Sequence, residues 1–230
     1  MRDPVWIQLL LGVHIAAGIT AFIMAPLALA SAKGGPAHRR WGSIYFWAMA
    51  VVAATALVLA IYRPIVFLAL VAVFSFYAAF SAYRVLFHKD LPRGGKVRRL
   101  DWAAAILTFA ASLVLAFLGA AKPAILQRLG IPAIVFGMIG MWLAGKSMWQ
   151  FTHPPRDKMF WWFEHLGGMM VSYIAAWTAF TVTTIGRFVH GGWVIWLVPT
   201  AIGSPIIAFT TAYYKRKFAP RAKATLDPAV

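Results

Sequence analysis

The chain has 230 residues, of which 62% are hydrophobic and 12% are charged, and it contains no cysteine. A soluble domain carries about 25% charged residues, so this composition excludes a soluble globular protein. The lack of cysteine excludes disulfides, iron–sulfur clusters and thiolate metal sites, which leaves His, Met, Tyr and carboxylates as ligands for any metal or haem.

Seven apolar runs follow one another along the chain, and each is long enough to cross the hydrocarbon core of a bilayer. We predict transmembrane helices at 5–31, 43–62, 65–87, 102–121, 131–147, 161–184 and 193–214. The predicted fold is therefore all-α, an integral membrane bundle with one seven-helix transmembrane domain over 1–217. A basic tail over 218–230 is expected to be disordered.

The positive charge of the chain, +16 in total, lies in short loops between these runs. The odd-numbered loops and the tail carry 16 of the 22 Lys and Arg residues, whereas the N-terminus and the even-numbered loops carry 5. Because cytoplasmic loops are enriched in Lys and Arg, we expect the N-terminus outside and the C-terminus in the cytoplasm. The expected location is a bacterial inner membrane.

The expected partners follow from the same charge distribution. Basic loops at the cytoplasmic face would meet anionic lipid headgroups. No groove-reading element accompanies the charge, so nucleic acid is not an expected partner. A second copy of the chain or another membrane protein is compatible with the sequence.

Two predicted helices carry a histidine one turn before a glycine. His14 precedes Gly18 near the middle of the first helix, and His165 precedes Gly168 in the sixth, next to Glu164. Ionisable groups at membrane depth are costly and usually face the protein interior, and small residues let another helix approach closely. Each histidine is either a structural residue bonded to a neighbouring helix or a candidate ligand of a cofactor such as haem b.

The depths of these two histidines argue against a shared cofactor. At a rise of 1.5 Å per residue, His14 lies about 3 Å outward of the midplane and His165 about 9 Å inward. Side chains also tilt toward the helix N-terminus, which moves these two further apart. We do not expect one haem iron or zinc ion to bind both unless a helix is strongly tilted.

Charged residues collect at the predicted cytoplasmic ends of the helices. Arg84 lies about one turn inside the third helix, Asp101 opens the fourth as an expected N-cap, and Lys146 ends the fifth. Glu164 in the sixth helix is expected to pair first with Arg84, since a guanidinium can grip a carboxylate with two bonds. Lys146 lies at a similar depth. These four residues form a predicted polar cluster.

Histidines at the same face are weak candidates for a metal site. His38, His88 and His153 all lie toward the cytoplasm, as does His165. Zinc needs three or four such ligands, and no pair has the i, i+3 or i, i+4 spacing of a helical metal motif. Zinc is thus less favoured than haem, and a membrane zinc hydrolase is the least favoured function.

Two further features point to polar sites inside the bundle. The third helix is rich in Tyr and Ser, with Ser75, Tyr77, Ser81 and Tyr83. The seventh helix is predicted to be interrupted by Pro199 and by the run from Gly203 to Pro205. Such an interruption either only bends a helix or frees backbone carbonyls for an ion or substrate site.

The chain resembles the DUF2306 family of bacterial membrane proteins in two motifs. The first is His14-x3-Gly18, then Pro26, then Lys33-Gly34-x3-His38-Arg39-x2-Gly42-x2-Tyr45; the second is His165-x2-Gly168-Met169-x2-Ser172-Tyr173-Ile174-Ala175-Ala176-x-Thr178-Ala179-Phe180. The resemblance covers the first two helices and the sixth. It implies a multi-pass inner-membrane protein, singles out His14, His38 and His165, and brings no established activity with it.

These observations leave three kinds of function open. A haem-binding or redox-related role comes first, because interior histidines flank small residues. A small-solute or proton-coupled transporter and a non-catalytic membrane accessory protein are the alternatives. Whether the chain is an enzyme, and what its substrate is, the sequence leaves open.

Overall fold

The structure is a computed structural model that describes residues 3–121, 126, 129–189 and 191–219. Within these ranges there is no strand, and seven long helices account for most residues. They are α1 Val5–Ala30, α2 Pro36–Tyr62, α3 Val66–Arg84, α4 Arg99–Ala121, α5 Gly130–Thr152, α6 Phe160–Thr184 and α7 Val198–Phe218. All seven segments are long and apolar enough to cross a membrane, which confirms the predicted helical bundle. Apart from its first two residues, the predicted tail lies outside the described residues.

Two helices extend well beyond the predicted spans. α2 begins at Pro36, seven residues before the predicted start, because proline fits the first turn of a helix, where an N–H has no helical partner. α5 continues to Thr152, past the predicted end at Ser147. This extension places Lys146 and Gln150 on consecutive turns of one regular helix, where their side chains share a face.

The pair α3 and α6 lies at the centre of the bundle. α3 packs against α2, α4, α5 and α6, while α6 also packs against α1 and α7. The two helices approach each other closely at Gly168 of α6, which has no side chain. A Cβ added there would lie 2.7 Å from the Cβ of Ala82 on α3. Small residues are thus used for close helix packing, as is common between membrane helices.

The ion pairs of Arg84 with Asp101 and of Lys146 with Glu164 lie at one end of the bundle. There the ends of α1, α3, α5 and α7 meet the starts of α2, α4 and α6. We call it the basic end, after the Lys and Arg residues of its three loops: Lys33, Lys89, Arg93, Lys96, Arg98, Arg156 and Lys158.

Of the two predicted interruptions of the seventh helix, the one at Gly203–Pro205 is wrong, whereas Pro199 lies in the first turn of α7, directly after a 3₁₀ turn. A 3₁₀ turn over Gly192–Trp196 comes first, and α7 then runs without a break from Val198 to Phe218, with Pro205 inside it. Gly203 has a packing role instead, because a Cβ there would collide with the side chain of Ile174 on α6. Gly203 therefore lets α6 and α7 pack closely together.

Candidate functional site

A buried ion pair joins the end of α3 to the start of α4. The Arg84 guanidinium donates from Nε to Asp101 Oδ1 at 2.7 Å and from Nη2 to Oδ2 at 2.9 Å. Oδ2 also accepts the backbone N–H of Arg98 at 3.2 Å and lies 3.3 Å from His88 Nε2. Asp101 is only 3% exposed, so its charge is compensated entirely by these neighbours.

Asp101 is not the N-cap of α4, which corrects the sequence interpretation. The helix begins at Arg99, so Asp101 is its third residue. From there the carboxylate reaches back to the N–H of Arg98, as the third residue of a capping box does. The interpretation failed because the predicted span started three residues too late.

The predicted pairing of Glu164 with Arg84 is also wrong. The ammonium of Lys146 lies 2.6 Å from Glu164 Oε1 and 2.9 Å from Oε2. Gln150 Nε2 donates to Oε1 at 3.0 Å. The guanidinium of Arg84 is occupied by Asp101, whereas the extended α5 points two polar side chains at Glu164.

These two ion pairs lie in the wall of one cavity of about 290 Å³. It opens among α3, α5, α6 and α7 at the basic end, with Asp101 reaching it from α4. The polar residues of its wall are Tyr77, Ser81, Arg84, His88, Asp101, Lys146, Ser147, Gln150, Glu164, Thr211 and Lys215. All four residues of the predicted polar cluster are among them. The volume is near the lower end of the range of small-molecule sites.

The wall of the cavity includes a hydroxyl that makes no well-aligned hydrogen bond with the described residues. Tyr77 is 3% exposed, and its Oη makes no hydrogen bond with the residues that the structure describes. The neighbouring Ser147 hydroxyl donates to the carbonyl of Leu143 at 3.1 Å; it is the group that the Tyr77 hydroxyl faces, but the two do not form a well-aligned hydrogen bond. A buried hydroxyl without a partner is costly, so Tyr77 is a group that a bound molecule can satisfy. The Tyr- and Ser-rich composition of α3 was the only sequence signal for it.

His14 lies far from this cavity and is held by α2. Its Nδ1 is 2.8 Å from the hydroxyl oxygen of Thr55, which itself donates to the carbonyl of Val51. Thr55 stands 17 residues after His38 in the same helix, about 25 Å at 1.5 Å per residue. His14 and His165 therefore lie toward opposite ends of the bundle, and they do not meet at one cofactor.

His165 meets His38 instead. The two ring centroids are 6.2 Å apart and the rings are nearly perpendicular, with 73° between their planes. His38 Nδ1 lies 2.9 Å from the carbonyl of Ala28, and His165 Nδ1 lies 2.9 Å from the carbonyl of Ala82. Neither ring lines the cavity.

The remaining metal candidates do not assemble into a zinc site. His88 faces Asp101, and His153 is exposed and stacked on Trp149 with ring centroids 3.8 Å apart. Over the described ranges, no three His, Asp or Glu side chains are placed to hold one metal ion. A tetrahedral zinc site, which needs three protein ligands or more, is not formed there.

Comparison with protein-family models, curated proteins and solved structures gives no match to this chain. The resemblance to the DUF2306 family therefore stays a prediction.

Proposed function

We propose that the chain is a bacterial inner-membrane transporter that binds a small carboxylate or phosphate anion in the cavity at the basic end. The observation that carries this proposal is a polar cavity, built from ion pairs, inside segments apolar enough to span a membrane. Ionisable residues within such segments are costly and usually mark a path for a substrate or an ion.

The charge of the cavity wall favours an anion. Three cations, Arg84, Lys146 and Lys215, face two carboxylates, Asp101 and Glu164. Lys215 forms no ion pair with the described residues and lies 5.7 Å from the centre of the Phe163 ring. Counting the Lys, Arg, Asp and Glu side chains alone, the wall carries one surplus positive charge, which a monovalent anion would neutralise.

Lys146 is the group best placed to receive the anion. Its pair with Glu164 is partly exposed, with side-chain exposures of 38% and 26%, whereas Arg84 and Asp101 are 15% and 3% exposed. An exposed pair gains little from its own attraction because water screens it. An incoming carboxylate or phosphate can thus bind Lys146 together with Glu164 at small cost. The buried pair of Arg84 and Asp101 stays intact and has a structural role.

The location of the cavity gives the direction of entry. It opens at the basic end, and loops rich in Lys and Arg favour the cytoplasmic side. An anion would enter from the cytoplasm. One of its hydrogen-bonding groups would then reach the Tyr77 hydroxyl. A haem-related role has less support, since His14 and His165 are apart and the space beside Gly168 is filled by Ala82.

Replacing Tyr77 with phenylalanine tests this site without disturbing its shape. We expect Tyr77→Phe to leave the melting temperature of the free protein unchanged or higher, because the variant removes a buried hydroxyl that makes no well-aligned hydrogen bond. The same variant should weaken the stabilisation that a bound anion confers. The measurement is a melting curve in detergent with acetate, succinate, citrate or inorganic phosphate, each against a neutral amide of similar size.

Tyr45→Phe is the matched control. The Tyr45 hydroxyl donates to Ser172 Oγ at 2.7 Å and does not line the cavity. Its loss should cost about 1 kcal/mol of stability and leave the anion-dependent shift intact. The proposal is contradicted if no anion of the panel stabilises the wild-type protein, or if Tyr77→Phe keeps the full shift.

A further inference from the structure

The cavity at the basic end is polar in one part and apolar in another. On α6, the apolar Val171 lies seven residues inward of Glu164, about 10 Å at a rise of 1.5 Å per residue. On α7, the apolar Ile207 lies eight residues inward of Lys215, about 12 Å. A ligand that fills the cavity along these two helices therefore needs a charge at one end and an apolar body at the other.

The polar part is grouped around Lys146. Its ammonium pairs with Glu164 of α6. The next residue of α5, Ser147, is the group that the Tyr77 hydroxyl faces, so the ammonium and this hydroxyl line the cavity at neighbouring positions. One carboxylate has two oxygens and can accept a hydrogen bond from each of them, which would also satisfy the buried hydroxyl.

Gly167 leaves open space directly inward of this ion pair. It follows Glu164 by three residues, so both lie on one face of α6. A Cβ added at Gly167 would have none of the described residues of other helices within 4 Å, whereas a Cβ at the neighbouring Gly168 would collide with Ala82. Gly168 is thus a packing residue, while Gly167 leaves room in the cavity wall for a ligand.

The contact of α6 with α7 limits the length of this space. One turn inward of Val171, the side chain of Ile174 lies where Gly203 of α7 has no side chain. An apolar body thus has about two helical turns, or about 10 Å, between the ion pair and this contact. The volume agrees with that limit, because about 150 Å³ is enough for benzene and the cavity holds about 290 Å³.

Charge and shape together define one class of ligand. The single surplus positive charge of the wall matches one carboxylate better than a dianion, and the rings of Phe80 and Phe163 line the same cavity. We infer that the cavity binds a monocarboxylate that carries an apolar body of about the size of a phenyl ring. This inference rests on the proposed function and narrows its substrate class.

Competition binding with radiolabelled phenylacetate tests this class on the purified full chain in detergent. Phenylacetate should bind at least about tenfold more tightly than acetate, because its ring buries apolar surface that acetate lacks. It should also bind more tightly than inorganic phosphate, which has no apolar body, and than phenylacetamide, which has the ring without the charge.

Gly167→Val narrows the apolar part of the cavity and should lower the preference for phenylacetate over acetate by about tenfold. Gly167→Ala should lower it less. Neither change should lower the melting temperature, since both residues have a higher helix propensity than glycine. Gly18→Val is the matched control, because Gly18 is also partly buried, has the same open surroundings and does not line the cavity; it should keep the wild-type preference.

The results separate this inference from the proposed function. Binding of acetate or phosphate that is as tight as that of phenylacetate would overturn the inference and leave an anion site in place. An unchanged preference in Gly167→Val would also overturn it, and so would phenylacetamide binding as tightly as phenylacetate. If no anion binds saturably, both the inference and the proposed function are wrong.

Discussion

Replacing Asp101 with alanine is expected to cost about 3–5 kcal/mol of stability, because it leaves a mostly buried guanidinium without its partner. Arg84 makes both of its ion-pair bonds to Asp101, and the carboxylate is almost fully buried. The N–H of Arg98 loses its acceptor in the same variant. The measurement is the shift of the thermal unfolding midpoint in detergent.

The pair of Arg63 with Asp3 is the matched control. It has the same chemistry, but its side chains are 44% and 34% exposed, so Arg63→Ala should cost at most about 1 kcal/mol. Combining Asp101→Leu with Arg84→Met should cost less than the sum of the single changes, since no charge is then left alone. A loss for Asp101→Ala as small as that for Arg63→Ala would contradict a structural role of the buried pair.

Gly137→Ala is expected to destabilise the bundle by about 3 kcal/mol, near the upper end of the usual overpacking range. The new Cβ would lie 2.6 Å from the carbonyl oxygen of Ser112 and 2.7 Å from the amide nitrogen of Ala116. Both atoms belong to the backbone of α4, so no rotamer change relieves the contact. α4 and α5 must move apart instead, which thermal unfolding of the variant in detergent will measure.

Gly145→Ala is the control in the same helix. The nearest atom to its Cβ would be in the ring of Phe109, at 3.6 Å, which is ordinary van der Waals contact. The change should therefore leave the melting temperature within a few degrees of the wild-type value. Equal effects of the two substitutions would show that the close approach of α4 to α5 is not what Gly137 provides.

The helices were predictable because hydropathy is a local property. A run of about 20 apolar residues must satisfy its backbone internally in a bilayer, and a helix does so. Helix ends were less predictable, because α2 and α5 continue into polar residues that hydropathy excludes. That error had consequences for the site, since Asp101 and Gln150 lie in the parts of α4 and α5 that the predicted spans left out.

Side-chain partners were the part that the sequence did not determine. Arg84 and Lys146 were both within reach of Glu164 by depth, and the choice depended on where Asp101 falls at the start of α4. The meeting of His38 with His165 depends on side chains of α2 and α6 reaching each other at the basic end, which no periodicity indicates. Whether the Tyr77 hydroxyl is satisfied depends on its alignment with the neighbouring Ser147 hydroxyl, which no sequence pattern determines.

Charge displacement on a supported membrane tests the central proposal most directly. Proteoliposomes should give a transient current that saturates with the concentration of the anion that stabilises the protein, and none with its neutral amide. Lys146→Met should reduce the current by removing the receiving cation, whereas Glu164→Gln should lower the half-saturating concentration by removing a competing carboxylate. No current above that of empty liposomes with any anion of the panel would contradict transport through this cavity, and so would an unchanged current in Lys146→Met.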